Sequence, residues 1–217
     1  MGGVGAANTN SHCVTKSSGN FGHVLIETNK PMQLELNGLG KQALVFEELG
    51  VKVELEAEKF ECALCMAENA LEGEEMKLTS LFANLKYSSV VIAGILGAKC
   101  QVKSAAGTGV IESESMKIVT TSTGSVTFAP ATGTTLASFE IVPVTGKVCN
   151  LKGNYTLNGA WVVAPSGATW TTNVGFAESP LTVNGNPASL KGEATAEGLV
   201  TPTAENPKPG SHAIAFT

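Results

Sequence analysis

The chain contains neither arginine nor aspartate. Its 14 cationic side chains are all lysine and its 19 carboxylates are all glutamate, where about ten of each missing type would be ordinary at this length. Without arginine there is no planar, two-pronged donor to grip a phosphate, a carboxylate or a guanine edge. The formal net charge of −5 also repels a polyanion, so no nucleic acid partner is expected. Without aspartate there is no EF-hand loop, no Walker-B Asp and no Ser-His-Asp triad; a glutamate can stand in only for the last. Long apolar runs are missing too. The longest, "VVIAGILGA" (Val90–Ala98), has the length of a strand and falls well short of the roughly 18 residues that cross a bilayer, so no membrane span is expected. Residues 1–20 have neither the basic start nor the hydrophobic stretch of a secretory signal. Ala6 occupies the place where a myristoylation pattern needs Ser or Thr. These features fit either a protein that is not exported or a mature form with an added Met1.

What remains is a globular composition, with 217 residues and 43% apolar side chains, enough to bury a real core. Residues 1–20, "MGGVGAANTNSHCVTKSSGN", read as a flexible N-terminal arm. Residues 21–217 read as a single β-sandwich domain. Strand signals begin with "HVLIET" (His23–Thr28) and "MQLELNG" (Met32–Gly38). "GLGKQA" (Gly38–Ala43) completes no phosphate-binding pattern and reads as a turn. In the stretch that follows, Val51, Val53, Leu55 and Ala57 alternate with Lys52, Glu54, Glu56 and Glu58, the period of a half-buried strand. After Lys59 the phase changes, with Phe60, Cys62, Leu64 and Met66 apolar, which predicts a β-bulge or a bend. Leu78, Leu81, Phe82 and Leu85 fall at helical spacing, so a short helix is expected near residues 74–87. The second half is rich in Thr, Val, Phe and Trp, punctuated by Gly, Pro and Asn. It predicts strands at "SVTFAP", "TLASFEIVPV", "NYTLNGAWVV", "TWTTNVGFAE", "LTVNG", "ASLKGEATAE" and "HAIAF". Asn184-Gly185 is the strongest hairpin signal in the chain. The fold class is all-β, a β-sandwich or jelly-roll-like arrangement.

Five cysteines are present: Cys13, Cys62, Cys65, Cys100 and Cys149. Disulfides within the chain leave one over, and Cys13, in the arm, is the natural odd one. Cys62 and Cys65 form a Cys-x-x-Cys. Redox chemistry of the thioredoxin type needs such a pair at a helix N-terminus, whereas this pair follows an alternating strand beside Glu61. A structural zinc needs two more ligands, for which His12 with Cys13, or Cys100 with Cys149, are candidates. Buried free thiols are a further option. Disulfide staples among Cys62, Cys65, Cys100 and Cys149 fit the strand context best. On a regular strand Cys62 and Cys65 face opposite ways, so each is expected to bond elsewhere rather than to the other.

Other candidates are weaker. Glu54, Glu56 and Glu58 line one strand face at steps of about 7 Å. Paired carboxylates at such separations serve glycosidases, but the same pattern is what a solvated outer face produces. "EGEE" (Glu72–Glu75) reads as a surface segment rather than a calcium site. His12, His23 and His212 have no ligand spacing, and no metal or cofactor is expected. Tyr155, Trp161 and Trp170 are candidates for a sugar-stacking face, against the alternative that they are core aromatics.

"GILGAKCQV", "VTFAPATGTTLASFEI", "LKGNYTLNGAW" and "LTVNGNPASLKGEATAE", in this order, resemble a group of secreted β-rich proteins of soil and thermophilic actinobacteria. The resemblance covers roughly residues 45–198 and lies in word order and turn placement. It implies an exported protein, which favours disulfides at Cys62, Cys65, Cys100 and Cys149, and it brings no activity and no site residues. The Cys-x-x-Cys pair and the lack of a signal peptide set this chain apart from that group.

The functional expectation is a secreted or cell-surface structural protein that is not an enzyme and whose main partner is itself. Donation of an N-terminal segment, "HVLIET" (His23–Thr28) behind the flexible arm, to a sheet edge of a neighbour builds filaments when repeated head to tail, with Cys13 as an intermolecular lock. The alternatives are a carbohydrate- or envelope-binding module using Tyr155, Trp161 and Trp170, and a Glu/Glu glycosidase.

Overall fold

Val53, Leu55 and Ala57 are buried, Glu54 and Glu56 are half-buried and Glu58 is exposed. The alternation read from the sequence is therefore the inside and outside of a real strand. The structure, a computed structural model, describes residues 13–15, 32–72, 75–120, 125–166, 169–173, 180–200 and 210–216. It is all-β apart from one short 3-10 turn, Gly94–Ala98. The strands are β1 (Cys13–Thr15), β2 (Met32–Glu48), β3 (Val51–Glu72), β4 (Glu75–Ile92), β5 (Cys100–Ser104) and β6 (Gly107–Thr108). They continue with β7 (Val110–Glu112), β8 (Met116–Thr120), β9 (Val126–Pro130), β10 (Thr135–Pro143) and β11 (Gly153–Asn158). The last are β12 (Trp161–Ser166), β13 (Thr169–Asn173), β14 (Thr182–Val183), β15 (Asn186–Val200) and β16 (Gly210–Phe216).

Every pairing is antiparallel. The sheet curls until it closes: β2, β3, β4, β8, β9, β12, β13 and β15 follow one another, and β15 pairs with both β13 and β2. From the start of β15 a second run, β14, β11, β10, β5 and β6, continues as a second layer. The two layers face each other across one continuous apolar core, giving a sandwich-like fold. Phe46 from β2 meets Phe139 and Tyr155 from the second layer, with centroids 6.5 and 5.6 Å away. Trp161 stacks on Phe128 at 5.0 Å.

A bulge lies beside the phase change after Lys59, but on the partner strand rather than in β3. Asn37 pairs with Glu61 and Gln42 with Ala57, so β2 carries one more residue than β3 where the apolar phase of β3 changes. This places "GLGKQA" inside β2 rather than in a turn between strands. Gln42 is buried there, and its amide donates to the Glu193 carbonyl at 2.8 Å. Gly192 makes room for it, since a Cβ at that position would collide with the Gln42 side chain.

Two further expectations are corrected. Residues 75–92 form a strand, not a helix. Ala83 and Leu85 are buried while Asn84 and Lys86 are half-exposed. The whole segment pairs with β3, from Leu55↔Ile92 to Glu72↔Glu75. A long partner strand outweighs the local helical spacing of Leu78, Leu81, Phe82 and Leu85. "NYTLNGAWVV" is two strands rather than one, because β11 ends at Asn158 in the second layer and β12 starts at Trp161 in the ring. The Asn184-Gly185 hairpin holds, with both residues at positive φ (49° and 85°) and Val183 paired with Asn186. "HVLIET" lies outside the described residues.

Candidate assembly interface

The last strand of the chain is divided between two partners. Gly210 to Ala213 pair with Val200 to Glu197 of β15. Beyond Ala213 the ladder of β15 is taken by β13, starting at Thr195↔Thr169. Ile214, Ala215 and Phe216 pair instead with Thr15, Val14 and Cys13. The described part of the predicted arm is therefore a three-residue strand paired with Ile214–Phe216 of β16. Three paired residues make few hydrogen bonds, and so short a ladder is marginal by itself. Residues 16–31 separate this strand from β2, a length that spans up to about 50 Å when extended.

The cysteines divide as 2 + 2 + 1. Cys62 bonds to Cys65, with Cα atoms 5.8 Å apart, and Cys100 bonds to Cys149, with Cα atoms 5.3 Å apart. The Cys62–Cys65 bond overturns the expectation that each would find a different partner. Cys62 pairs with Leu85 and Leu64 with Asn84, so Ala63 is an extra residue in β3. A one-residue slip reverses which face the following side chains take. Both sulfurs thereby come to the buried side and close the bulge. This also removes the zinc and free-thiol readings for that pair, and among the described residues no three His, Cys, Asp or Glu side chains gather as a metal site. Cys100–Cys149 joins the start of β5 to the loop between β10 and β11. Beside it the Val144 amide donates to the Lys99 carbonyl at 2.9 Å. Cys13 is the odd cysteine, located at the pairing with Phe216, the end of the final strand.

No family model, curated protein or solved structure matches this chain.

Two of the three aromatic candidates, Tyr155 and Trp161, lie inside the sandwich. Tyr155 is 4% exposed; its hydroxyl donates to the Leu151 carbonyl at 2.7 Å and its ring stacks on Phe139. Trp161 is 5% exposed and lies against Phe128. Both are core residues, the second of the two readings that the sequence offers for them. The backbone of Trp170 pairs with Pro165 and Ala194. Burial, and then the charge of Glu48, push the Tyr155 phenol up from its usual range; burial does the same to Tyr87.

Glu54, Glu56 and Glu58 lie on the outer face of β3, opposite in phase to the buried Val53, Leu55 and Ala57. Glu56 accepts from the Lys41 ammonium at 2.6 Å, which raises the lysine pKa, and Glu54 lies 3.4 Å from Lys52. The core holds a cavity of about 50 Å³ between the layers, bounded by Leu55, Val90, Met116, Phe139 and Trp161 among others. None of its lining residues is a carboxylate, a lysine or a histidine. Of its three polar side chains, two serve backbone groups: Gln42 donates to Glu193, and the Ser113 hydroxyl accepts from the Leu85 amide at 2.8 Å; the third is Tyr87. Glu54, Glu56 and Glu58 lie on the outer face of the sheet and do not line this cavity.

Proposed function

We propose that this protein is a non-catalytic building block, exported to an oxidising surrounding and joined to further copies of itself by exchange of its N-terminal strand. The carrying observation is that Ile214–Phe216 pair only with Cys13–Thr15 among the described residues. The same pairing made to the equivalent edge of a neighbour conserves every hydrogen bond, so the choice between the two depends on concentration and covalent locking. Within one chain the arm is present at an effective concentration of roughly millimolar order. Exchange between copies therefore needs crowding or a second link; a Cys13–Cys13 disulfide supplies one such link between copies taken in pairs, and crowding must supply the rest. Head-to-tail donation does not close on itself and gives a filament. Two internal disulfides support an oxidising setting, as found outside cells. Among the described residues no helix is long and apolar enough to cross a membrane.

The test is electron microscopy of the concentrated, oxidised protein beside a non-reducing gel of the wild type and of Cys13→Ala. The proposal expects elongated particles and a disulfide-linked dimer band that Cys13→Ala removes. Single particles with no dimer band at high concentration would refute it.

A further inference from the structure

At one end of the sandwich the loops carry large aliphatic side chains into solvent. Leu49 in the β2–β3 turn is 76% exposed, Ile95 in the 3-10 turn 84% and Val148 in the β10–β11 loop 78%. Isolated exposed aliphatics are common and mean little. These three share an end. The Ala93 amide donates to the Glu54 carbonyl at 2.8 Å, so the 3-10 turn leaves the sheet where β3 begins. Lys99 then accepts from Val144, and Cys100 is bonded to Cys149, next to Val148. The turn thus bridges from one layer to the other.

Leu49 is the decisive residue. It has φ 53° and Gly50 φ 74°, the conformation of a tight hairpin turn that favours Asn-Gly and disfavours a leucine. The neighbouring hairpin at the same end uses Asn184-Gly185. A leucine in a disfavoured backbone conformation, with its side chain in water, stabilises nothing within its own chain. Each aliphatic also has a lysine close in sequence: Lys52 after Leu49, Lys99 after Ile95, and Lys147 and Lys152 around Val148, all exposed. Glu47, Glu48 and Glu54 lie on the same strand ends, the last beside Lys52. These four lysines outnumber the three glutamates by one, in a chain of net charge −5.

We infer that this end docks onto an anionic lipid surface, with Leu49, Ile95 and Val148 entering the headgroup region and the lysines meeting the charged headgroups. Aliphatic tips ringed by lysine match an interface that is apolar below and negative above. The rest of the chain's charge is screened beyond about 8 Å at physiological salt. The inference stands apart from strand exchange, since it involves the other elements of the chain.

The experiment is flotation of the oxidised full-length protein with vesicles of phosphatidylcholine plus phosphatidylglycerol, and with phosphatidylcholine alone. The inference expects binding to the anionic vesicles that weakens as salt rises. The triple variant L49N/I95S/V148T should bind at least about tenfold more weakly. Leu49→Asn alone should melt no lower than the wild type, because asparagine suits the turn, which separates lost docking from lost folding. Removal of residues 1–15 should leave vesicle binding unchanged. No wild-type flotation, equal flotation with neutral vesicles, or a triple variant that binds as well as the wild type would each overturn it. So would a triple variant that only lowers the multimer mass, since this end would then be a contact between copies.

Discussion

Removing Cys100–Cys149 should cost about twice as much stability as removing Cys62–Cys65, by the chain-entropy relation. The first bond closes a sequence separation of 49 and the second a separation of 3. The loop-closure entropy withheld from the unfolded chain is about 4 kcal/mol for the long loop and about 2 kcal/mol at most for the short one. All four cysteines are buried, so the loss of packing on replacement by alanine is similar and largely cancels in the comparison. For a chain of this size, each kcal/mol moves the melting midpoint by about 2–4 °C. The Cys100→Ala/Cys149→Ala variant should therefore melt about 8–16 °C below the wild type and the Cys62→Ala/Cys65→Ala variant about 4–8 °C below. Thermal melts followed by circular dichroism on oxidised samples read both numbers directly. A larger fall for the Cys62/Cys65 variant would refute the reasoning. It would mean that the bulge at Ala63 depends on its sulfur clip, and that the clip acts on the folded state rather than on the unfolded chain.

Other consequences follow from single contacts. Tyr155→Phe removes the bond to the Leu151 carbonyl and leaves that oxygen without its partner, at a cost of about 1–3 kcal/mol, readable by urea unfolding. Gly192→Ala drives a methyl into the Gln42 side chain and should destabilise by about 1–3 kcal/mol. Adding Gln42→Ala should recover part of that loss, which a double-mutant cycle would show. The chain has only two tyrosines, and burial raises both phenols in the folded state. Folding therefore favours the neutral form. That contribution is complete below the unfolded value of about 10 and is lost as pH rises through the folded values. Tyrosinate absorbance should accordingly appear together with loss of the near-ultraviolet circular dichroism; tyrosinate formed in a still-folded protein would contradict the burial of Tyr87 and Tyr155.

The parts of this fold that were legible in the sequence are those with strong local grammar. Val53–Glu58 alternate because one face is in the core and the other toward water, although Val51, beside the turn, is exposed, and Asn184-Gly185 takes the backbone conformation that these residues allow. The parts that were not legible depend on a partner strand. Leu78–Leu85 have helical spacing, but β3 offers a ladder along their whole length. Cys62 and Cys65 meet because Ala63 is an extra residue, and a bulge cannot be located until its opposite strand is known. "NYTLNGAWVV" looks continuous although it changes layer after Asn158, and Gly159, at φ 110°, was the only local signal. At the interface, the odd Cys13 was visible by counting, whereas its place opposite Phe216 required the register of the final strand. The exposed tips are hard to read because a lone Leu or Ile next to glycine, as at Leu49 and Ile95, or a lone Val beside a cysteine, as at Val148, resembles the end of a strand. The signal that could have found them is a large aliphatic, rather than Asn or Ser, at a tight turn.

Sedimentation of the full chain against a form lacking residues 1–15, across a wide concentration range with and without reductant, tests the strand-exchange account most directly. The account predicts multimers of the oxidised full chain that grow with concentration, shrink on reduction and are absent from the shortened form. A full chain that stays monomeric throughout, or a shortened form that assembles equally well, would contradict it.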